Sequence, residues 1–308
     1  MMAAAMKAQS VWPQKLRELH NHHFDSTIWN DFAFRDDDII IGTYAKSGTT
    51  WTQQIVAQLI FAGAEGLDVA GMSPWVDLRV PPKDVKLSQL EAMTHRRFLK
   101  THLPVDALVF SPRAKYIYLG RDGRDVVWSM YNHHANANAL WYQLLNDTPG
   151  RVGPAIEPPP ASIRRYFYDW LELDGFPFWP FWENIRGWWD IRDLPNVMLL
   201  HYADMKADME GNIRRVAEFL EIDVPEDKWP AIFDHCSFDH EAERRSVGSP
   251  QRCDLEGRGR NLRAQGHQRP LARHAECRGI RPLRTHGRLR ARPRMCGLAE
   301  RGRGWRGA

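Results

Sequence analysis

The chain contains 308 residues, 43% of them hydrophobic, with a formal net charge of +4, so it has enough apolar material for one large or two small domains and is not a wholly disordered protein. No run approaches the roughly 18 uninterrupted apolar residues of a membrane-spanning helix, and the first ten residues lack the apolar core of a signal peptide. We therefore expect a cytoplasmic protein without a membrane partner.

Charge is distributed unevenly along the chain. Residues 241–308 contain eighteen arginines, no lysine and six acidic residues, a net +12, which leaves −8 for residues 1–240. This tail holds a single aromatic residue, Trp305, and so lacks the large apolar side chains that build a core. We expect a folded domain over residues 1–240 and a tail over 241–308 that is disordered or translated out of frame. A genuine basic tail would instead bind nucleic acid or anionic surfaces.

The first predicted element is a helix over residues 14–23 that ends in three histidines, His20, His22 and His23. Such a group can suggest a metal site. We interpret these histidines as a solvated helix end and predict no metal site in this protein.

Residues 39–56, I-I-I-G-T-Y-A-K-S-G-T-T-W-T-Q-Q-I-V, run from an aliphatic strand through a Gly/Ser/Thr-rich turn into an amphipathic helix. Backbone N–H groups at the start of a helix, aided by its dipole, favour a bound anion, and Lys46 adds a positive charge. A nucleotide-binding Walker loop ends in G-K-[ST] and uses its hydroxyl to hold Mg²⁺. Here the order is K-S-G-T-T-W, which predicts a nucleotide anion held without a metal.

Later strand-like runs alternate with helical patterns, which predicts an α/β fold: a P-loop-like, three-layer arrangement with a mostly parallel sheet flanked by helices. The strands are predicted at residues 39–41, 97–100, 116–119 and 196–200, and the helices at Thr50–Phe61, Asp125–His133, Ile163–Leu171, Phe181–Ile191 and Gly211–Leu220. Residues 146–161 are rich in proline and glycine and predict a surface loop that could act as a lid.

Each predicted strand is followed by polar residues: K-T-H-L-P (100–104), G-R-D-G-R-D-V (120–126) and H-Y-A-D-M (201–205). Ligands of parallel α/β sheets bind outside the carboxyl ends of the strands, so one crevice could collect these motifs. Together with T-Y-A-K-S-G-T-T-W they resemble the motifs of the cytosolic sulfotransferase family in residue identity, order and spacing over about residues 25–240. The family's usual loop has proline where this chain has Ala45.

The resemblance implies transfer of a sulfuryl group from 3′-phosphoadenosine 5′-phosphosulfate (PAPS) to a hydroxyl or amine of a small, mostly apolar acceptor, an alcohol, phenol or amine. The other product is 3′-phosphoadenosine 5′-phosphate (PAP). The resemblance also implies the PAPS-binding residues, which are Lys46, Ser47, Gly48, Thr49, Thr50 and Trp51 on the 5′ side, Arg121 and Ser129 at the 3′-phosphate, and Tyr202, Ser237 and Phe238 on the adenine side.

Three residues are predicted to be catalytic. His102 resembles the family's catalytic base, and a neutral imidazole can remove the proton of an attacking hydroxyl at pH 7. Lys46 would stabilise the charge that develops on the leaving phosphate. Lys100, two residues before His102, would contact the sulfuryl oxygens.

The family pattern is not recognisable beyond about Glu241, where members carry an R-K-G-x-x-G loop for the 3′-phosphate and then a dimerisation segment. We therefore expect weaker PAPS binding and reduced activity, and whether the chain forms a homodimer stays open. Two other functions remain as alternatives: a nucleotide kinase of similar fold, which would use ATP with Mg²⁺, and a non-catalytic protein that binds nucleotides or nucleic acid through its basic tail.

Overall fold

Four parallel strands form the central sheet of the computed structural model, which describes residues 12–237. The strands are β1 (Ile39–Thr43), β2 (Phe98–Thr101), β3 (Lys115–Gly120) and β4 (Val197–His201), in the order β2-β1-β3-β4. In the register, Ile41 of β1 lies opposite Lys100 of β2 and Ile117 of β3. The carboxyl ends of all four strands therefore meet at one edge, as the sequence predicted.

The sheet is covered on both faces. Ile39 and Ile41 belong to a buried core with residues of three helices, α1 (Thr49–Ile60), α9 (Met209–Leu220) and α10 (Trp229–Cys236). On the opposite face Tyr118 stacks on Trp188 of α7 (Phe181–Asp190), with ring centroids 5.1 Å apart. A Cβ on Gly42 of β1 would lie 2.6 Å from this indole, so the glycine permits the close packing of α7. The predicted three-layer α/β fold is confirmed.

The remaining α-helices within residues 12–237 are α2 (Val69–Met72), α3 (Lys83–Glu91), α4 (Gly123–Ala135), α5 (Ala139–Asp147), α6 (Ile163–Glu172) and α8 (Tyr202–Ala207). Short 3₁₀ helices occur at Ser26–Asn30, Val105–Ala107 and Glu226–Lys228. All five helices predicted for the region 50–220 are present, with ends that shift by at most two residues. The sequence pattern does not predict helices α2, α3, α5, α8 and α10.

The helix predicted over residues 14–23 is wrong, because the structure has no helix in this segment. Three consecutive residues, His22, His23 and Phe24, are all buried. A surface helix buries only one stripe of side chains, so it cannot bury three neighbours in a row. The segment is instead an irregular chain held by backbone hydrogen bonds such as Leu16 N–H to the Asp106 carbonyl, at 2.7 Å.

Between Asp147 and Ile163 the structure shows neither helix nor strand, in agreement with the predicted loop. The Asn146 side chain bonds both the N–H and the carbonyl of Ile156, at 2.9 and 3.0 Å, which fixes the loop to the end of α5. A role as a lid stays a prediction. Within residues 12–237 none of the helices has the length and apolarity needed to cross a membrane. Residues 238–308, with Phe238 and the predicted tail, lie outside the described residues.

Candidate functional site

The turn between β1 and α1 has the backbone geometry of an anion-binding loop. Gly48 is the N-cap of α1 with φ 113°, in the left-handed region, and no side chain caps the helix start. Lys46 also has positive φ, at 68°. The first N–H groups of α1 are therefore not capped by a side chain, and the helix dipole favours an anion at this end.

Gly48 also lies too close to neighbouring side chains to carry a Cβ atom. A Cβ at this position would lie 2.8 Å from Leu119 and 2.9 Å from the ring of Tyr202. The neighbouring hydroxyls are ordered: the Oγ1 atoms of Thr43 and Thr49 are 2.6 Å apart, and Ser47 is almost fully buried. Thr50 is exposed. The turn predicted from the sequence thus places glycine where backbone strain and crowding both require it.

His102 lies just beyond the end of β2 and is linked to the end of β1. Its Nδ1 is 2.8 Å from the carbonyl oxygen of Thr43 and 3.1 Å from the Thr43 hydroxyl. A carbonyl oxygen can only accept, so Nδ1 carries the proton and donates it. The neutral imidazole then has its lone pair on Nε2. His102 is thus held as the tautomer in which Nε2 is the basic atom.

Residues of α7 and β3 support His102 from behind. The amide of Asn184 donates to the His102 carbonyl at 3.0 Å, and the Tyr118 hydroxyl donates to the Asn184 side chain at 2.9 Å. Trp188 Nε1 donates to the Leu103 carbonyl at 3.3 Å. Sequence reasoning did not identify Asn184, because no local pattern relates it to a strand end 82 residues earlier.

Two tryptophans enclose His102. The ring of Trp75 meets it edge to face at 4.6 Å, and Trp179 stacks roughly parallel to it at 6.0 Å. The ammonium of Lys100 lies 5.7 Å from the centre of the Trp75 ring, and Lys100 is buried. The sequence predicted Lys100 beside His102, but it did not identify Trp75.

The predicted adenine-side and 3′-phosphate residues meet on the other side of the turn. Tyr202, at the start of α8, contacts Trp51 edge to face at 5.5 Å and lies under the guanidinium of Arg121 at 4.3 Å. The Trp51 indole N–H donates to the Cys236 carbonyl at 2.8 Å, next to Ser237 at the end of α10. The structure therefore brings Trp51, Arg121, Tyr202 and the neighbourhood of Ser237 together.

Arg121 fixes the turn and keeps part of its donor capacity. Its Nη1 donates to the Lys46 carbonyl at 3.1 Å. Its Nε is buried and has no hydrogen-bond partner within residues 12–237, because the nearest carboxylate oxygen, of Asp125, is 3.6 Å away. Ser129 lies on α4, in the second turn after Arg121, and is half-buried. A buried guanidinium N–H beside a helix start is chemically suited to a phosphate.

The interpretation of His20, His22 and His23 as a solvated helix end is wrong for two of them. His22 and His23 are buried, and burial lowers the pKa of both side chains. Only His20 keeps substantial exposure, beside Asp25 at 3.5 Å. The reason is again the irregular chain path, which turns two consecutive side chains inward. No group of three or more histidine, cysteine or acidic side chains arranged for a metal ion occurs in the described part of the chain.

Comparison with known proteins shows one consistent family. A family model described as a sulfotransferase domain matches residues 36–266. The glycolipid sulfotransferase of Mycobacterium bovis is 34% identical over 255 residues, which cover 75% of this chain and 77% of the relative. The family match passes residue 240, and residues 238–266 lie outside those that the structure describes, so the domain boundary at 240 stays a prediction.

Two solved structures share the fold. Mouse sulfotransferase SULT7A1, complexed with PAP, has a TM-score of 0.54 and 22% identity and covers 70% of both chains. Retinol dehydratase, complexed with retinol and PAP, has a TM-score of 0.54 and 24% identity over 72% of this chain and 73% of that one.

Proposed function

Because this chain belongs to the sulfotransferase family, we propose that it transfers a sulfuryl group from PAPS to a hydroxyl or amine of a small, mostly apolar acceptor. The observation that carries the proposal is the bond between His102 Nδ1 and the Thr43 carbonyl, at 2.8 Å. It ties the imidazole ring to the strand that leads into the anion-binding turn and leaves Nε2 as the basic nitrogen. One site thus holds a base for the acceptor and a cradle for the donor.

The base step follows from the tautomer of His102. An acceptor hydroxyl that attacks sulfur must lose its proton, and Nε2 of His102 takes it. In the resulting imidazolium, Nδ1–H keeps its bond to the Thr43 carbonyl, which stabilises the positive charge. Asn184 holds the backbone at His102, so that the ring stays in place during the transfer.

The turn between β1 and α1, together with the start of α1, stabilises negative charge on the sulfuryl donor. Sulfuryl transfer, like phosphoryl transfer, is expected to have a loose transition state in which negative charge builds up on the leaving phosphate. The N–H groups at the start of α1, which the helix fixes before reaction, and the positive charge of Lys46 stabilise that charge. Lys100, buried against Trp75, supplies a second positive charge toward the sulfuryl oxygens.

The residues present fit PAPS. The buried, unbonded Nε of Arg121 and the hydroxyl of Ser129 would hold the 3′-phosphate, and the Gly48 cradle would hold the 5′ end. Trp51 and Tyr202 would flank the adenine, with Ser237 and Phe238 beside them. PAP is present in the complexes of both structural neighbours, which supports this proposal. Loss of a C-terminal 3′-phosphate loop would weaken binding and activity.

The acceptor is proposed from the walls around His102. Trp75 and Trp179 are large, apolar and close to the base, so they favour a flat, apolar body next to the reacting hydroxyl. Retinol in one structural neighbour and the glycolipid acceptor named for the mycobacterial relative both have apolar bodies. An alcohol, phenol or amine with an apolar body is the proposed class.

Calorimetric titration with PAP and with ATP, each with and without Mg²⁺, tests the donor. We expect PAP to bind without Mg²⁺, at least about tenfold more tightly than ATP, because Arg121 adds charge-assisted bonds to a 3′-phosphate that ATP lacks. Preference for ATP with Mg²⁺ would instead establish the nucleotide kinase. An Arg121→Lys variant is the control: it keeps the charge, loses the planar donor set, and should weaken PAP but not ATP.

A further inference from the structure

We propose that His23 is a second recognition point for the acceptor, whose Nε2 accepts a hydrogen bond from a second hydroxyl or N–H group of the same molecule. The favoured acceptor then carries two donors on an apolar body, one sulfated at His102 and one held at His23. This inference rests on the proposed function, because it assigns a second contact to the acceptor molecule of that reaction.

The hydrogen-bond chain fixes the tautomers of His22 and His23. His22 Nε2 is 2.9 Å from the carbonyl oxygen of Pro177, which can only accept, so His22 carries its proton on Nε2. Its Nδ1 is then a bare acceptor, and it lies within hydrogen-bond range of His23 Nδ1. His23 must donate from Nδ1, so its own lone pair is on Nε2.

Both rings are neutral at ordinary pH. Burial lowers the pKa of each side chain, and that of His23 lies well below its usual range. Positive charge on His22, His133, His102 or His134, where those rings become protonated, lowers it further. No acidic group is among the interactions that shift His23, so nothing there favours its charged form. His23 therefore presents an acceptor and not a donor.

His23 packs against the same two tryptophans as His102. Its ring centroid lies 5.9 Å from Trp75 and 5.8 Å from Trp179, the same two rings that enclose His102. Trp141 and Phe178 complete the apolar surroundings at 5.7 and 5.6 Å. An apolar body that lies against Trp75 or Trp179 with one end at His102 thus has its other end within reach of His23.

A purely structural histidine pair would satisfy all of its nitrogens. Three of the four ring nitrogens do so through the chain from Pro177, but within residues 12–237 no group hydrogen-bonds Nε2 of His23. Nε2 of His23 is thus an acceptor without a protein partner in the described part of the chain, on a ring that faces the same tryptophans as His102, which makes it a candidate for a ligand that donates.

Selectivity follows from the direction of this bond. A second O–H or N–H on the acceptor gains a bond, whereas a methyl ether or a ketone at the same place presents an acceptor to an acceptor. Sites built to bond a substrate hydroxyl discriminate strongly against the analogue without it, because the buried polar group is left unpaired.

The first test compares aromatic diols of graded spacing with their mono-methyl ethers, using the full chain and PAPS. We expect kcat/KM for the best diol to exceed that for its ether by about tenfold or more, mainly through KM, since one bond is lost. His23→Phe should abolish this preference. The matched variant His20→Phe, in the same segment but outside the tryptophan walls, should keep it. Equal kcat/KM values for each diol and its ether would overturn the proposal.

The second test does not depend on turnover. In ¹⁵N–¹H correlation spectra of protein labelled with ¹⁵N-histidine, Nε2 of His23 should show the shift of a bare ring nitrogen. It should move when a diol is added with PAP, and not when the methyl ether is added. A protonated Nε2, or identical shifts with both compounds, would contradict the assignment. Absence of sulfation of any acceptor, with these shifts as expected, would refute the proposed function and leave the binding role of His23 in place.

Discussion

At the residue scale, the site depends on hydrogen bonds whose direction is fixed by chemistry. The carbonyl of Thr43 accepts from His102, and the carbonyl of His102 accepts from Asn184. Carbonyl groups cannot donate, so neither bond can reverse. These two contacts set both the tautomer and the position of the proposed base.

His102→Gln tests the base. We expect kcat to fall by about 10²–10⁴, the usual contribution of a general base, while PAP affinity stays close to that of the wild type. Steady-state kinetics and calorimetry measure the two quantities. His95→Gln is a suitable control, because His95 packs against Phe61 and Phe98 rather than the site. Full activity of the His102 variant would rule out the assigned role.

Asn184→Ala tests positioning. The change leaves the His102 carbonyl and the Tyr118 hydroxyl buried without a partner, which should cost roughly 1–3 kcal/mol of unfolding free energy. We also expect kcat to fall while KM changes little, because the ring of His102 loses its support. Tyr118→Phe removes only the outer bond, so it should keep kcat near the wild-type value. If both variants lower kcat equally, the support comes from packing and not from the amide.

At the element scale, the turn between β1 and α1 is a local structure. A strand, two residues with positive φ and a helix follow one another within 22 residues, Ile39–Ile60. Chain direction, turn residues and helix start are all encoded by neighbours in sequence. The sequence alone therefore suffices to locate the anion-binding turn.

Gly48→Ala should destabilise the turn. At φ 113° an alanine is strained, and its Cβ would meet Leu119 at 2.8 Å and Tyr202 at 2.9 Å, so we expect a loss of about 2–4 kcal/mol and weaker PAP binding. Gly66→Ala is the matched control, because Gly66 also has positive φ, at 69°, but no atom lies within 4 Å of its Cβ position. That variant should lose only about 1 kcal/mol. Similar losses in both variants would show that crowding contributes nothing.

At the scale of the whole molecule, three buried histidines make the fold sensitive to acid. Burial lowers the pKa of His22 and His23 and brings that of His134 to about 4. As pH falls below 6.5, the unfolded chain binds protons at these sites that the folded chain takes up only at lower pH, for His134 near pH 4. The free energy of unfolding must therefore fall as pH falls.

Urea unfolding at pH 7 and pH 5 measures this effect. Each histidine that stays neutral in the folded state should remove about 2 kcal/mol of stability over this interval, up to about 6 kcal/mol if all three stay neutral. The His134→Leu variant should lose less unfolding free energy between the two pH values than the wild type does, by the roughly 2 kcal/mol expected for one histidine. A pH dependence unchanged by this substitution would mean that His134 gains its proton in the folded state as well.

Sequence alone was sufficient for the four strands, five of the helices, the turn at Lys46–Gly48 and the residues at the strand ends, because hydrophobic periodicity and turn chemistry act between near neighbours. The burial of His22 and His23, the contact of Trp75 with His102 and the support from Asn184 instead come from tertiary packing. These contacts join side chains from distant parts of the chain, and they depend on how the layers pack. A local pattern carries no information about such packing, so the residues proposed to contact the acceptor, such as Trp75 and His23, could be identified only from the folded structure.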